Sequence, residues 1–66
     1  MQIRLNGTAI EVADGTTVAE LVASRDLAPE QVAVEVNESL VARARRTETR
    51  LAPGDRVELV TLVGGG

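Results

Sequence analysis

The sequence predicts an α+β roll, a mixed sheet of roughly four to five strands with one main helix across one face. Several stretches alternate apolar and polar residues as strands do, and one stretch has the apolar spacing of a helix. Dipeptides typical of tight turns separate these stretches. With 66 residues, 44% of them hydrophobic, the chain has the size and composition of one small globular domain.

The first part of the chain predicts a β-hairpin. Ile3 and Leu5 alternate with polar residues, which is the period of a half-buried strand. Asn6-Gly7 follows and is a favoured dipeptide for a type I′ turn. The stretch TAIEVA then resumes the alternation, with Ile10 directed toward the core.

A helix is predicted to follow this hairpin. Thr17 and Glu20 have the spacing of a capping box, in which each side chain binds a free backbone amide of the first turn. The helix is expected to end near Arg25, before Pro29, because proline restricts the residue that precedes it. Its apolar stripe, which should cover one sheet face, consists of Val18, Leu21 and Val22.

The second half of the chain predicts the remaining strands. The stretch VAVEVN is a strand with its valines on one face, and a turn and a short apolar piece, LVA, come after it. The segment from Arg43 to Arg50 has no convincing period and is expected to be irregular. Pro53-Gly54 suits the centre of a type II turn, and RVELVTLV forms the final strand.

The residue types present argue against catalysis by this chain alone. It has no His and no Cys, and all 7 basic residues are Arg. Acid–base and nucleophilic catalysis rely on His, Cys or Lys, or on a hydroxyl activated by one of them. A hydrolase with two carboxylates is formally possible, but so short a chain can hardly form a substrate cleft. We therefore expect no enzyme activity and no metal site.

Charge and hydropathy limit the expected partners and location. The net charge is −3 and no aromatic residue is present, which argues against nucleic-acid binding. No apolar run reaches the roughly 18 residues of a membrane span, and no signal-peptide pattern is visible. We therefore expect a cytoplasmic protein without a membrane partner.

One basic cluster, formed by Arg43, Arg45 and Arg46, allows two interpretations. It is either a patch for an anion or an acidic partner, or a solvated loop beside Glu48. The second interpretation is favoured, because short charge runs are usually only solvated.

The glycine run at residues 64–66 is the unusual feature of the chain. It is either a frayed terminus or the functional site of the molecule. If side chains carry no covalent chemistry, the remaining reactive group is the α-carboxylate of Gly66, which is ionised at neutral pH. It could attack the α-phosphorus of ATP, and Gly64 and Gly65 could thread a narrow channel because they lack Cβ atoms.

The strand before the glycines offers candidate docking residues. Val60 and Leu62 fall on the face that the helix does not cover, and Val63 follows them. They contact a partner, or they are scattered apolar residues of the kind that any surface carries.

Five stretches of the sequence resemble those of a known family. The stretches that carry the resemblance are MQIRLNG, DGTTVAELV, VAVEVN, LVARARR and LAPGDRVELVTLVGGG. Together they are similar to the ThiS sulfur carriers of thiamin biosynthesis, in the ubiquitin-like β-grasp group that also contains MoaD. The resemblance implies a β-grasp domain over residues 1–63 and a flexible glycine tail over residues 64–66.

The resemblance also implies a reaction cycle. A ThiF-like adenylyltransferase would activate Gly66 with ATP and Mg, while the chain itself binds no cofactor tightly. Sulfur from a cysteine desulfurase would convert Gly66 to a thiocarboxylate, and a ThiG-like thiazole synthase would take up that sulfur. A carrier for molybdopterin or cysteine synthesis, a ubiquitin-like protein modifier and a non-covalent binding module remain as alternatives.

Overall fold

A computed structural model describes residues 1–62 of the chain. Its elements, in chain order, are the strands β1 (Gln2–Leu5) and β2 (Thr8–Glu11), the helix α1 (Val18–Ser24), a first 3-10 turn (Pro29–Gln31), the strands β3 (Val32–Val36) and β4 (Ser39–Leu40), a second 3-10 turn (Arg43–Arg45) and the strand β5 (Arg56–Thr61).

The five strands form one mixed sheet in the order β2-β1-β5-β3-β4. β5 pairs parallel with β1 and antiparallel with β3, so the last strand occupies the centre of the sheet. The outer pairs, β1 with β2 and β3 with β4, are antiparallel. The helix covers one sheet face, which confirms the predicted α+β roll.

The turns predicted from dipeptides are present. Asn6 and Gly7 have φ angles of 49° and 84°, as a type I′ turn requires, and they join Leu5 of β1 to its partner Thr8 of β2. In the turn before β5, the Asp55 amide donates to the Ala52 carbonyl at 3.1 Å. The φ of +84° at Gly54 in this turn confirms the type II geometry.

The helix begins with the predicted capping box. The Thr17 hydroxyl accepts from the Glu20 amide at 3.1 Å, and the Glu20 carboxylate accepts from the Thr17 amide at 2.8 Å. The helix ends at Ser24, next to the predicted boundary at Arg25. Val18, Leu21 and Val22 are buried, as predicted, in a core with Ile3, Leu5, Val32, Val34, Leu51 and Val57.

The chain between β4 and β5 differs from the expectation of an irregular loop. Residues Arg43–Arg45 form a 3-10 turn. The segment that follows is bonded to the start of α1, where the Val18 amide donates to the Thr49 carbonyl and the Leu51 amide to the Thr16 carbonyl, each at 2.9 Å. Within residues 1–62, no helix has the length and apolar character needed to cross a membrane.

Candidate functional site

The end of β5 is exposed on the sheet face that lies away from the helix. Val60 is 50% exposed and Leu62 is 53% exposed, which confirms the predicted orientation of both side chains. The Leu62 amide donates to the Gln31 carbonyl at 2.8 Å. The backbone is therefore held up to Leu62, the last described residue, against the end of the first 3-10 turn, which directly precedes β3.

Leu40 belongs to the same exposed surface, although no pattern in the sequence marked it as a site residue. Leu40 is 71% exposed and pairs with Glu35 in the register of β3 and β4. Glu35 also pairs with Glu58 of β5, two residues before Val60 on the same face. Leu40, Val60 and Leu62 thus project from one sheet face, and we call these three residues the apolar patch.

A shallow groove connects two members of the apolar patch. It lies between the start of β3 and the segment after β4, and both Leu40 and Leu62 line it. The other lining residues are Pro29, Glu30, Val32, Ala33, Val41, Ala42, Arg43 and Arg46. Most of this lining is apolar, so the surface around the end of β5 suits contact with another protein better than binding of a small polar substrate.

The three arginines of the basic cluster do not form one patch. Arg46 is 5% exposed, and its guanidinium donates to the carbonyl oxygens of Pro29 at 2.9 Å and Val32 at 2.6 Å. Both sequence interpretations, the anion patch and the solvated loop, are therefore wrong for Arg46. Arg43 and Arg45 are exposed, and Arg45 pairs with Glu48 at 3.1 Å as expected for a solvated charge.

The predictions for the chain terminus concern residues outside the described part of the structure. These are the reactive carboxylate of Gly66, the reach supplied by Gly64 and Gly65, and the partner contact of Val63. The boundary between a domain over residues 1–63 and a tail over residues 64–66 also stays a prediction. Among residues 1–62, no group of three or more His, Cys, Asp or Glu side chains is placed to hold a metal ion.

Comparison with known proteins identifies the family. The model of the ThiS family matches residues 3–66, which is nearly the whole chain and includes the terminal glycines. The chain belongs to the ThiS family. The sulfur carrier protein ThiS of Bacillus subtilis is 35% identical over 65 residues, which are 97% of this chain and 98% of that protein.

A solved structure agrees with this family assignment. The crystal structure of the thiamine biosynthesis protein (ThiS) from Geobacter metallireducens has a TM-score of 0.85, with 33% sequence identity and full coverage of both chains. The β-grasp fold of the ThiS family is therefore the fold of this chain.

A larger relative contains a ThiS-like segment. The thiazole synthase of Magnetococcus marinus is 39% identical to this chain over 66 residues. This ThiS-family chain matches in full but spans only 20% of that protein. A ThiS-like sequence and a thiazole synthase thus occur in one polypeptide in that organism.

Proposed function

We propose that this chain is a sulfur carrier of thiamin biosynthesis that holds sulfur as a thiocarboxylate on Gly66. The observation that carries this proposal is the match to the ThiS family model, which continues through Gly66. The relatives named as sulfur carriers, from Bacillus subtilis and Escherichia coli, support the same role because each matches this chain over nearly its full length.

The proposed chemistry begins at the carboxylate of Gly66. One carboxylate oxygen attacks the α-phosphorus of ATP, pyrophosphate leaves, and an acyl-adenylate forms. The terminal sulfur of a desulfurase persulfide then attacks the carbonyl carbon and displaces AMP, which gives an acyl disulfide. A second thiol attacks the sulfur that belongs to the desulfurase and forms a disulfide with it, and the other sulfur is left on the carbon of Gly66 as a thiocarboxylate. Gly64 and Gly65 allow close approach of the backbone to the nucleotide because they carry no side chains.

The chemistry requires partner enzymes, so we propose that this chain is a co-substrate rather than an enzyme. A ThiF-like adenylyltransferase supplies ATP, Mg and the electrostatic stabilisation of the reacting groups. A cysteine desulfurase is the proposed source of the sulfur. A ThiG-like thiazole synthase is the proposed acceptor, which the composite thiazole synthase of Magnetococcus marinus supports. We propose that the apolar patch of Leu40, Val60 and Leu62, together with Val63, contacts these enzymes.

Mass spectrometry of the intact chain tests the proposal. The purified protein is incubated with a ThiF-like adenylyltransferase, Mg-ATP, a cysteine desulfurase, cysteine and a thiol reductant. The expected product is heavier by one exchange of oxygen for sulfur, and fragmentation locates the change on Gly66. A chain that lacks Gly66 serves as the matched control and should not react.

Other outcomes identify the alternatives. Isopeptide adducts on lysines of other proteins would indicate a ubiquitin-like modifier instead. If cells with the Gly66 deletion grow normally without added thiamin, the carrier proposal is wrong and the glycines have no role in the pathway. Transfer of the sulfur only to a molybdopterin or cysteine precursor would assign the carrier to another pathway.

A further inference from the structure

The backbone at the end of β5 is held by few hydrogen bonds. In the described part of the chain, the final bonds on the side of β1 come from the Asn6 side chain, which binds the Leu59 amide at 2.9 Å and the Leu59 carbonyl at 3.4 Å. On the side of β3, the final bond joins the Leu62 amide to the Gln31 carbonyl at 2.8 Å. Within residues 1–62, this bond is therefore the last one that fixes the backbone before residues 63–66.

The 3-10 turn that provides the Gln31 carbonyl has little support of its own. The turn, Pro29–Gln31, contains no buried residue, and Ala28 at its N-cap makes no side-chain hydrogen bond. Inside the turn, the Gln31 amide donates to the Ala28 carbonyl at 2.9 Å. Hydrogen bonds of this i to i+3 type have poorer geometry than those of an α-helix, so the position of the turn depends on contacts from outside it.

Arg46 supplies such contacts at both ends of this turn. Its guanidinium donates to the carbonyl oxygens of Pro29 at 2.9 Å and Val32 at 2.6 Å. Pro29 begins the turn and Val32 directly follows Gln31, so one rigid planar group binds the backbone on each side of Gln31. The Nε atom of Arg46 is buried without an acceptor among residues 1–62, which is a cost that an apolar side chain would not carry. The guanidinium therefore does more than fill the core: it fixes the turn whose last carbonyl holds Leu62.

We propose that Arg46 is a positioning residue for the adenylation of Gly66. It acts through the first 3-10 turn and the Leu62 amide, and so it fixes the point from which residues 63–66 continue to the reacting carboxylate. Docking on the apolar patch brings the carrier to the enzyme, whereas this anchor determines how readily the carboxylate takes up its reactive position. Loss of the anchor therefore lowers kcat and leaves the KM for the carrier unchanged. The inference rests on the proposed function and adds a residue on which the rate of the reaction depends.

Two variants at position 62 test the anchor itself. Leu62→Pro removes the amide hydrogen that binds the Gln31 carbonyl. Leu62→Ala is the matched control, because it also loses the leucine side chain but keeps the amide. In the adenylation assay, we expect kcat to be at least about tenfold lower for Leu62→Pro than for Leu62→Ala, with the same KM for both. Equal kcat values for the two variants would overturn the inference while the proposed function stands.

A second pair of variants tests whether Arg46 acts through this anchor. Arg46→Met removes the donors to the turn, whereas Leu21→Ala lowers stability through the buried core and leaves those hydrogen bonds in place. At a temperature where circular dichroism shows every variant folded, kcat should fall at least about fivefold for Arg46→Met and stay near that of the natural chain for Leu21→Ala. An equal loss in both variants would show that stability alone is responsible and would overturn the inference.

Hydrogen exchange of the Leu62 amide, followed by NMR, gives a readout that does not require activity. In Arg46→Met this amide should exchange at least about tenfold faster relative to the Asn6 amide, which binds the Val57 carbonyl near the start of β5. Leu21→Ala should leave the ratio of the two exchange rates unchanged. If the natural chain is not adenylated at all, the proposed function fails, and exchange then decides whether Arg46 holds Leu62: an unchanged ratio in Arg46→Met overturns the inference. If Arg46→Met does not fold, the two variants at position 62 decide it.

Discussion

The guanidinium of Arg46 donates a hydrogen bond of 2.6 Å to the carbonyl oxygen of Val32, the first residue of β3. The same guanidinium binds the Pro29 carbonyl, and the backbone carbonyl of Arg46 accepts from the Ala19 amide at 3.1 Å. One residue thus joins the first 3-10 turn, the start of β3 and the first turn of α1. The charged guanidinium of Arg46 therefore binds backbone carbonyl groups inside the fold and is not exposed at the surface.

Replacement of Arg46 should destabilise the domain. Arg46→Met places an apolar side chain at the buried position and leaves two carbonyl oxygens, those of Pro29 and Val32, without their donors. We expect the free energy of unfolding to fall by about 2–4 kcal/mol, measured by urea denaturation. Arg45→Met is the control, because its exposed ion pair with Glu48 should contribute less than about 1 kcal/mol. Equal effects of the two changes would contradict the structural role of Arg46.

Removal of the helix cap should have a smaller effect. Thr17→Ala removes the hydroxyl that accepts from the Glu20 amide, and we expect a loss of about 1 kcal/mol in the free energy of unfolding. Thr17→Ser keeps the hydroxyl and should stay close to the natural chain. A loss of the same size in both variants would mean that the methyl group of Thr17, and not its capping bond, is responsible.

Leucine truncation distinguishes the buried face from the exposed face. Leu21 in α1 is 2% exposed, whereas Leu40 in β4 is 71% exposed. Leu21→Ala should lower the free energy of unfolding by about 2–5 kcal/mol, and Leu40→Ala should change it by less than about 0.5 kcal/mol. Thermal unfolding followed by circular dichroism measures both. A large loss for Leu40→Ala would show that this side chain packs against the domain and is not free for a partner.

Charges placed on the apolar patch should impair docking but not folding. Val60→Asp and Leu62→Asp change side chains that are at least half exposed, so the unfolding temperature should stay near that of the natural chain. The KM of the adenylating enzyme for these variants should rise at least about fivefold. Ala9→Asp is the control, since Ala9 is exposed on β2, at the opposite edge of the sheet from β4. Unchanged KM values for Val60→Asp and Leu62→Asp would place the docking surface elsewhere.

Local sequence signals predicted most of the fold. Asn6-Gly7, the capping box of Thr17 and Glu20, and Pro53-Gly54 each depend on backbone geometry within a few residues, and the structure confirms each of them. The exposed orientation of Val60 and Leu62 also followed from the period of two along their strand.

The errors concern contacts between distant parts of the chain. The carbonyl groups that bind Arg46 lie 17 and 14 residues before it, and no local pattern marks an arginine for burial by such partners. Leu40 joins the apolar patch only because its register with Glu35 turns it to the exposed face. The position of β5 between β1 and β3 likewise depends on pairing between strands that are far apart in the sequence.

That central position of β5 constrains how the domain can form during translation. The β1–β2 and β3–β4 hairpins do not pair with each other in the described sheet, and β5 is the strand that joins them. The Asn6 side chain at the first hairpin binds the backbone of Leu59, 53 residues later. Because synthesis proceeds from the amino end, the five-stranded sheet cannot form until β5 has emerged from the ribosome. A chain cut before Arg56 lacks all of β5, so we expect it to have no strand that joins the two hairpins and not to form a smaller version of the same sheet.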